Sequence, residues 1–281
     1  MTVLETIRRS TEFLEGKGIG SARLQTELIV SHALGLTRMQ LYLQFEKPLG
    51  PAELDRIREF VRRRGRREPV QYIVGEAAFL GLRLKSDGRA LIPRPETEML
   101  VETVVSLRPE PPARVLDLGT GSGAIALALA AAWPSAEVVA VDASPAALEL
   151  ARENAEATAL AGRVLFLASD WFAGLPAGAH FDVIVANPPY LSADEVAAAP
   201  AEVRDHEPVA ALRAANDGRA DLEAILCAAP GFLAPGGLLA LETGAGHHEV
   251  LLRSASAAGF ERTESRRDLA GRDRFLLAWG R

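Results

Sequence analysis

The chain has 281 residues, 48% of them hydrophobic and 24% charged, which is ordinary for a globular protein of one large or two modest domains. A formal net charge of −6 argues against tight binding to naked nucleic acid, and the single cysteine, Cys227, excludes an internal disulfide or a cysteine-rich zinc site. The N-terminal stretch lacks the apolar core of a secretory signal, and the longest apolar run, Ala124 to Trp133, is too short to span a bilayer, so the cytoplasm is the expected compartment.

Residues 1–70 show helical periodicity and no strand alternation, which predicts a small helical domain. Val3, Leu4, Ile7, Phe13 and Leu14 mark a first helix that stops near Gly16 and Gly18. Ser21 is placed to cap a second helix carrying Leu24, Leu28, Ile29 and Ala33, with Gly35 as its stop. A short third helix spans Arg38 to Leu43, and Pro51 opens a fourth with Leu54, Ile57 and Val61 on one face. That helix ends in Arg62, Arg63, Arg64, Arg66 and Arg67. With 28 arginines against three lysines, arginine is this chain's default cation, so the cluster reads as a solvated helix end suited to the C-terminal dipole. Residues 1–75 carry 13 basic and 9 acidic side chains, hence +4, and the remainder carry 18 and 28, hence −10. The basic part could face an acidic partner.

Residues 71–92 look strand-like, a β-hairpin linking two domains with its turn expected at Ser86-Asp87-Gly88. LIPRPETEMLVETVV follows, with Pro95 as a first helical residue and Glu96 and Glu98 as helix-start acids. From there to residue 281 strands and helices alternate, the pattern of an α/β fold. The expected strands are Val115–Leu118, Val138–Asp142, Val164–Leu167, Phe181–Ala186, Gly237–Glu242, Glu261–Arg266 and Arg274–Trp279, the last two joined by a turn at AGRD.

After the first of these strands come glycines at 119, 121 and 123 and a small-residue helix. Glycine there lets the backbone turn sharply and lets a ligand approach the strand end, while the free N–H groups of the helix favour an electron-rich partner. Gly119-x-Gly121-x-x-Ala124, with Asp142 at the spacing of a ribose-binding acid, satisfies the loose dinucleotide fingerprint. The same residues also read as Asp117-x-Gly119-x-Gly121-x-Gly123, which resembles the first motif of S-adenosylmethionine-dependent methyltransferases.

Asn187-Pro188-Pro189-Tyr190 decides between them. It lies just past the end of a buried strand, where α/β proteins place reacting ligands. Asn187 offers a carbonyl that accepts from a target NH2 group, Pro188 a backbone carbonyl in a turn poor in competing donors, and Tyr190 a flat wall. Two acceptors aimed at one NH2 fix that nitrogen for attack on a methyl donor, and hydride transfer has no evident use for them.

The combination resembles class I methyltransferases that modify planar NH2 groups, and more closely the release factor glutamine N5-methyltransferase family. EPVQYIVGE at 68–76, LIPRPETE at 91–98, VLDLGTGSGAIALALA at 115–130, SDWF at 169–172, NPPY at 187–190 and HEP at 206–208 carry the resemblance across nearly the whole chain. It implies a Rossmann-like seven-stranded sheet whose last strand is antiparallel, behind a small N-terminal helical domain (1–70) that recognises the substrate. It also implies S-adenosylmethionine as cofactor and the glutamine of a Gly-Gly-Gln motif in class I peptide-chain release factors as target, with no metal. Gly119, Thr120, Gly121, Ser122 and Gly123 would contact the methionine part, Asp142 the ribose, and Asp170 and Trp171 the adenine. Asn187, Pro188, Pro189 and Tyr190 would hold the glutamine amide, Asn187 bordering the cofactor as well. Methylation of another amide or of a base amino group in RNA or DNA is the alternative. His247 and His248 stand where a glutamine is expected and read as solvated.

Overall fold

Val3, Ile7 and Leu14 of the first helix are fully buried and form the core of one of two units into which the computed structural model, describing residues 1–281, divides. This unit comprises residues 1–76 and 200–206. It holds α1 (Val3–Gly16), α2 (Ala22–Leu34), α3 (Arg38–Tyr42), α4 (Pro51–Gly65) and α5 (Val70–Val74). The first helix is started by a capping box: the Glu5 amide donates to the Thr2 hydroxyl, and the Thr2 amide donates to the Glu5 carboxylate. Ser21 does not cap α2; its own backbone is left-handed and its hydroxyl makes no cap bond. Pro51 opens α4 as expected.

The arginines that end α4 are not a solvated group. Arg64 is buried, its guanidinium donating to Gln25 and, at 2.8 Å, to Glu202 of the returning segment. Arg67 also reaches Glu202, at 3.1 Å, and Arg63 pairs with Glu68. Buried cations persist only when paired, so the cluster is an internal clamp on residues 200–206. Arg62 and Arg66 match the sequence expectation, both being exposed.

The region expected to be one hairpin over 71–92 is different. Residues 70–74 form α5, preceded by Pro69 and stopped by left-handed Gly75. The ribbon is β1 (Glu76–Phe79) with β2 (Leu82–Lys85), turning at Leu80-Gly81, where both residues have positive φ. That geometry suits the twist of a tight hairpin.

The second unit, residues 77–199 and 207–281, is built on a seven-stranded sheet. In chain order come α6 (Pro95–Leu107), β3 (Arg114–Leu118), α7 (Ala124–Ala132), β4 (Glu137–Asp142), α8 (Pro145–Ala157), β5 (Val164–Ala168), β6 (Phe181–Ala186) and α9 (Ala193–Ala198). The short α10 (Ala201–Arg204) belongs to the first unit, and α11 (Ala220–Ala228), β7 (Leu233–Glu242), α12 (His248–Ala257), β8 (Arg262–Arg267) and β9 (Asp273–Trp279) complete the chain. The order across the sheet is β5-β4-β3-β6-β7-β9-β8, and the last strand, β9, is antiparallel to both its neighbours. Alternate residues of the central strands face opposite layers. Val115, Val138, Val183 and Leu238 pack with α6 and α7, while Leu116, Val139, Ile184 and Leu239 pack with α11 and α12. Burial on both faces explains why these strands read as nearly continuous apolar runs. No helix is long and apolar enough to cross a membrane.

The chain runs outward from β3 through β4 to β5 and returns to β6 on the other side of β3. Strand order reverses between β3 and β6, which opens a crevice at their C-terminal ends.

Candidate active site

Register puts the two sequence motifs together. Leu118 pairs with Ala186 in parallel, so the next residues, Gly119 and Asn187, emerge side by side. Val141 pairs with Leu118 on one side, and Leu241 with Ala186 on the other, so Asp142 and Glu242 stand at the same level. A cavity of about 310 Å³ lies there, within the range of small-molecule sites.

Gly119, Thr120, Gly121, Ser122, Asp142, Asp170, Trp171, Asn187 and Pro189 all line this cavity. Gly119 and Gly121 have φ of +68° and +56°, and a Cβ on Gly119 would stand 3.2 Å from the Trp171 ring. Glycine is therefore required where the backbone forms the cavity wall. Both oxygens of Asp142 take backbone hydrogens, Oδ2 from Gly121 at 2.9 Å and Oδ1 from Ser144 at 2.8 Å. The carboxylate thus ties the glycine loop to the start of α8 and still has lone pairs for a ligand. Trp171 itself has a left-handed backbone, held by the Ser169 hydroxyl, which donates to its carbonyl and accepts from the Gly174 amide.

Gly123, Pro188 and Tyr190 do not line the cavity. Gly123 faces the next helix, where a Cβ would lie 3.2 Å from that of Ala151. Pro188 is buried, and the Tyr190 hydroxyl donates to Glu242 at 3.0 Å. Asp117 is fully buried below the loop, accepting from the Thr120 hydroxyl and the Ala126 amide, and burial pushes its carboxyl up to about 7.

Residues 5–75 match the model of the PrmC N-terminal domain, and residues 95–203 that of the methyltransferase small domain. The chain is 41% identical to a release factor glutamine methyltransferase of Cereibacter sphaeroides, over 99% of this chain and 98% of that one. It is 44% identical to another from Geobacter sulfurreducens, over 96% and 95%. The chain belongs to the release factor glutamine methyltransferase family. The fold reaches further, for the T. thermophilus 16S rRNA N2 G1207 methyltransferase shares it with a TM-score of 0.53 at 24% identity, over 73% of this chain and 50% of that one.

In this release factor glutamine methyltransferase family member, several side chains at or behind the cavity were not picked out from sequence. Thr97, between the two acids Glu96 and Glu98, lines it and accepts from the Asn187 side-chain amide at 3.1 Å. Its own hydroxyl donates to buried Glu242 at 2.6 Å. Glu96 instead reaches Arg272, and Glu98 accepts from the Leu80 amide in the hairpin turn. Asp221 of α11 lines the cavity, bonded to the Trp171 side chain, with burial raising its carboxyl. Glu207 accepts from the Ile92 amide and pairs with Arg94, which ties it to the LIPRPETE segment. Asn154, fully buried in α8, donates to the Ser122 carbonyl and bonds both backbone groups of Lys85, pinning the glycine loop to β2.

The two histidines are not solvated. His248 is buried between the hydroxyls of Thr243 and Ser265, 2.6 and 2.7 Å away, and burial lowers its pKa. His247 packs against Gly244 and Gly218, beside the left-handed turn at Asn216, Asp217 and Gly218. The same two glycines lie against Tyr190, so His247 packs behind that residue.

Proposed function

We propose that the chain transfers a methyl group from S-adenosylmethionine to the side-chain amide nitrogen, N5, of the glutamine in the Gly-Gly-Gln motif of class I peptide-chain release factors. The observation that carries this reading is the register of Leu118 with Ala186, because it sets the glycine loop and Asn187 on one cavity. A methyl donor and an NH2 acceptor can then meet there.

The residues present fit the cofactor. Left-handed Gly119 and Gly121 leave bare backbone at two places in the loop, and the Asp142 carboxylate, fixed by two backbone amides, suits a pair of ribose hydroxyls. Asp170, Trp171 and Asp221 offer a flat, partly acidic wall for the adenine. When bound, S-adenosylmethionine supplies an electrophilic methyl group on a sulfonium and leaves as a neutral thioether.

The protein's contribution is positioning and electrostatics. An amide nitrogen is a weak nucleophile because its lone pair is delocalised into the carbonyl. Asn187 Oδ1 and the Pro188 carbonyl accept the two NH2 hydrogens, which raises electron density on the nitrogen and fixes its direction. Once substituted, that nitrogen sheds its proton to solvent, so no general base is required. Tyr190 is no base either: burial and the nearby Glu242 carboxylate push its phenol above the usual range. Residues 1–70, with their opposite charge balance, select the protein substrate, in the cytoplasm.

The test is transfer of tritiated methyl from the cofactor to purified release factor, ribosomal proteins, RNA and DNA. Label on the factor alone supports the assignment, and label on nucleic acid alone would replace it with base methylation.

A further inference from the structure

Asn187 can serve its proposed role only in one of two orientations. An amide side chain presents a carbonyl on one edge and an NH2 on the other, and the wrong edge would oppose the substrate NH2 with hydrogens of its own. Something must choose between them.

The choice is made by a chain of hydrogen bonds behind the cavity. Arg274, a permanent cation, donates from Nη1 to the Tyr190 hydroxyl at 3.3 Å and to the Thr243 carbonyl at 3.0 Å. With that lone pair occupied, the Tyr190 hydrogen goes to Glu242 Oε1 at 3.0 Å. The other oxygen of Glu242 accepts the Thr97 hydrogen at 2.6 Å. A hydroxyl has one hydrogen, so Thr97 can only accept from Asn187, and it does so from Nδ2 at 3.1 Å. The NH2 edge of Asn187 is thereby committed to Thr97 at the cavity wall, and its carbonyl is left as the edge open to a ligand. We propose that Thr97 and Glu242 are positioning residues that set the rotation of the Asn187 amide, and so make the enzyme accept an NH2 group. This rests on the acceptor role of Asn187 given above.

Glu242→Gln sharpens the idea. A glutamine can turn its own NH2 toward Thr97, and the Thr97 hydroxyl is then free to donate to Asn187 Oδ1, which inverts the amide. Nearly the same volume is kept and a buried carboxyl, whose pKa burial raises, is removed, so thermal stability should hold or rise while transfer falls.

The test uses the full chain, release factor and S-adenosylmethionine, with Thr97→Val, Thr97→Ser, Asn187→Ala and the double variant Thr97→Val/Asn187→Ala. Thr97→Val should lower kcat by about tenfold or more, with cofactor affinity unchanged, and Thr97→Ser should restore most of it. In the Asn187→Ala background Thr97→Val should change kcat by less than about twofold, since its effect passes through Asn187. Separately, the Asn187 side-chain hydrogens, followed by NMR in asparagine-labelled protein without substrate, should exchange slowly in the wild type and faster in Thr97→Val. Equal losses in both backgrounds, full activity of Thr97→Val, or unprotected hydrogens in the wild type would overturn the positioning role. If the wild type labels no release factor but the hydrogens are protected, it is the transfer assignment that falls, and the positioning role falls with it.

Discussion

Replacing Asp117 by asparagine should change how the stability of the protein depends on pH. Asp117 is fully buried in β3; its Oδ2 accepts from the Thr120 hydroxyl at 2.6 Å and from the Ala126 amide at 3.1 Å, while Oδ1 has no partner. Burial holds the carboxyl up at about 7, from 3.8, against the pull of those two bonds, with the Asp142 charge adding a little. Below 3.8 the group is protonated in both folded and unfolded chains and carries no penalty. Between 3.8 and about 7 the unfolded chain releases a proton that the native state keeps. The native state then binds more protons, so stability falls as pH rises, and the loss is complete above the folded pKa. That displacement corresponds to about 4 kcal/mol. Asparagine has nothing to titrate, and the cost of its unbonded amide hydrogens, about 1–3 kcal/mol, does not vary with pH. Urea unfolding from about pH 4 to about pH 8 should therefore show the variant gaining on the wild type, mostly before neutrality. A difference that is flat or falls with pH would refute the account of Asp117 as an uncompensated buried carboxyl.

Three further outcomes are expected. Asp142→Ala should weaken S-adenosylmethionine binding by about 1.5–3 kcal/mol, the scale of charge-assisted bonds, and calorimetry showing unchanged affinity in a folded variant would remove Asp142 from the site. Asn187→Ala should keep the fold and most cofactor affinity yet lose at least about two decades of kcat, and near-wild-type turnover would end its acceptor role. Arg64→Ala should destabilise the helical unit by about 2–4 kcal/mol because buried Arg64 ties Glu202 to Gln25, while exposed Arg62→Ala should stay within about 0.5 kcal/mol. Equal thermal shifts for the two would mean that the clamp does not hold.

The sheet was legible because its central strands are apolar on both faces and three of its strands end in a signal: glycines after β3, an acid closing β4, and Asn-Pro-Pro after β6. What was not legible depends on contacts between distant segments. Arg64 sits in a run of arginines that a helix end would show anyway, and only the return of residues 200–206 buries it. The hairpin turn fell at Leu80-Gly81 because tertiary packing, with Glu98 accepting from the Leu80 amide, overrode the stronger turn signal at Ser86-Asp87-Gly88. The helices between residues 193 and 228 are short and lack a clear apolar period, so the sequence left them unassigned. Thr97 was overshadowed by its acidic neighbours. Glu242 did carry a signal, an acid closing the apolar run GLLALE much as Asp142 closes its own strand. Its significance required the register that seats it beside Asn187.

The central claim is that a glutamine NH2 in a release factor is the methyl acceptor, and one measurement bears on it most directly. Purified release factor with its Gly-Gly-Gln motif, and the same factor with that glutamine changed to glutamate, are incubated with the enzyme and tritiated S-adenosylmethionine. The account predicts stoichiometric label on the first and none on the second, since glutamate has no nitrogen to receive the methyl group. Equal label on both factors, or none on either while RNA or DNA becomes labelled, would contradict it.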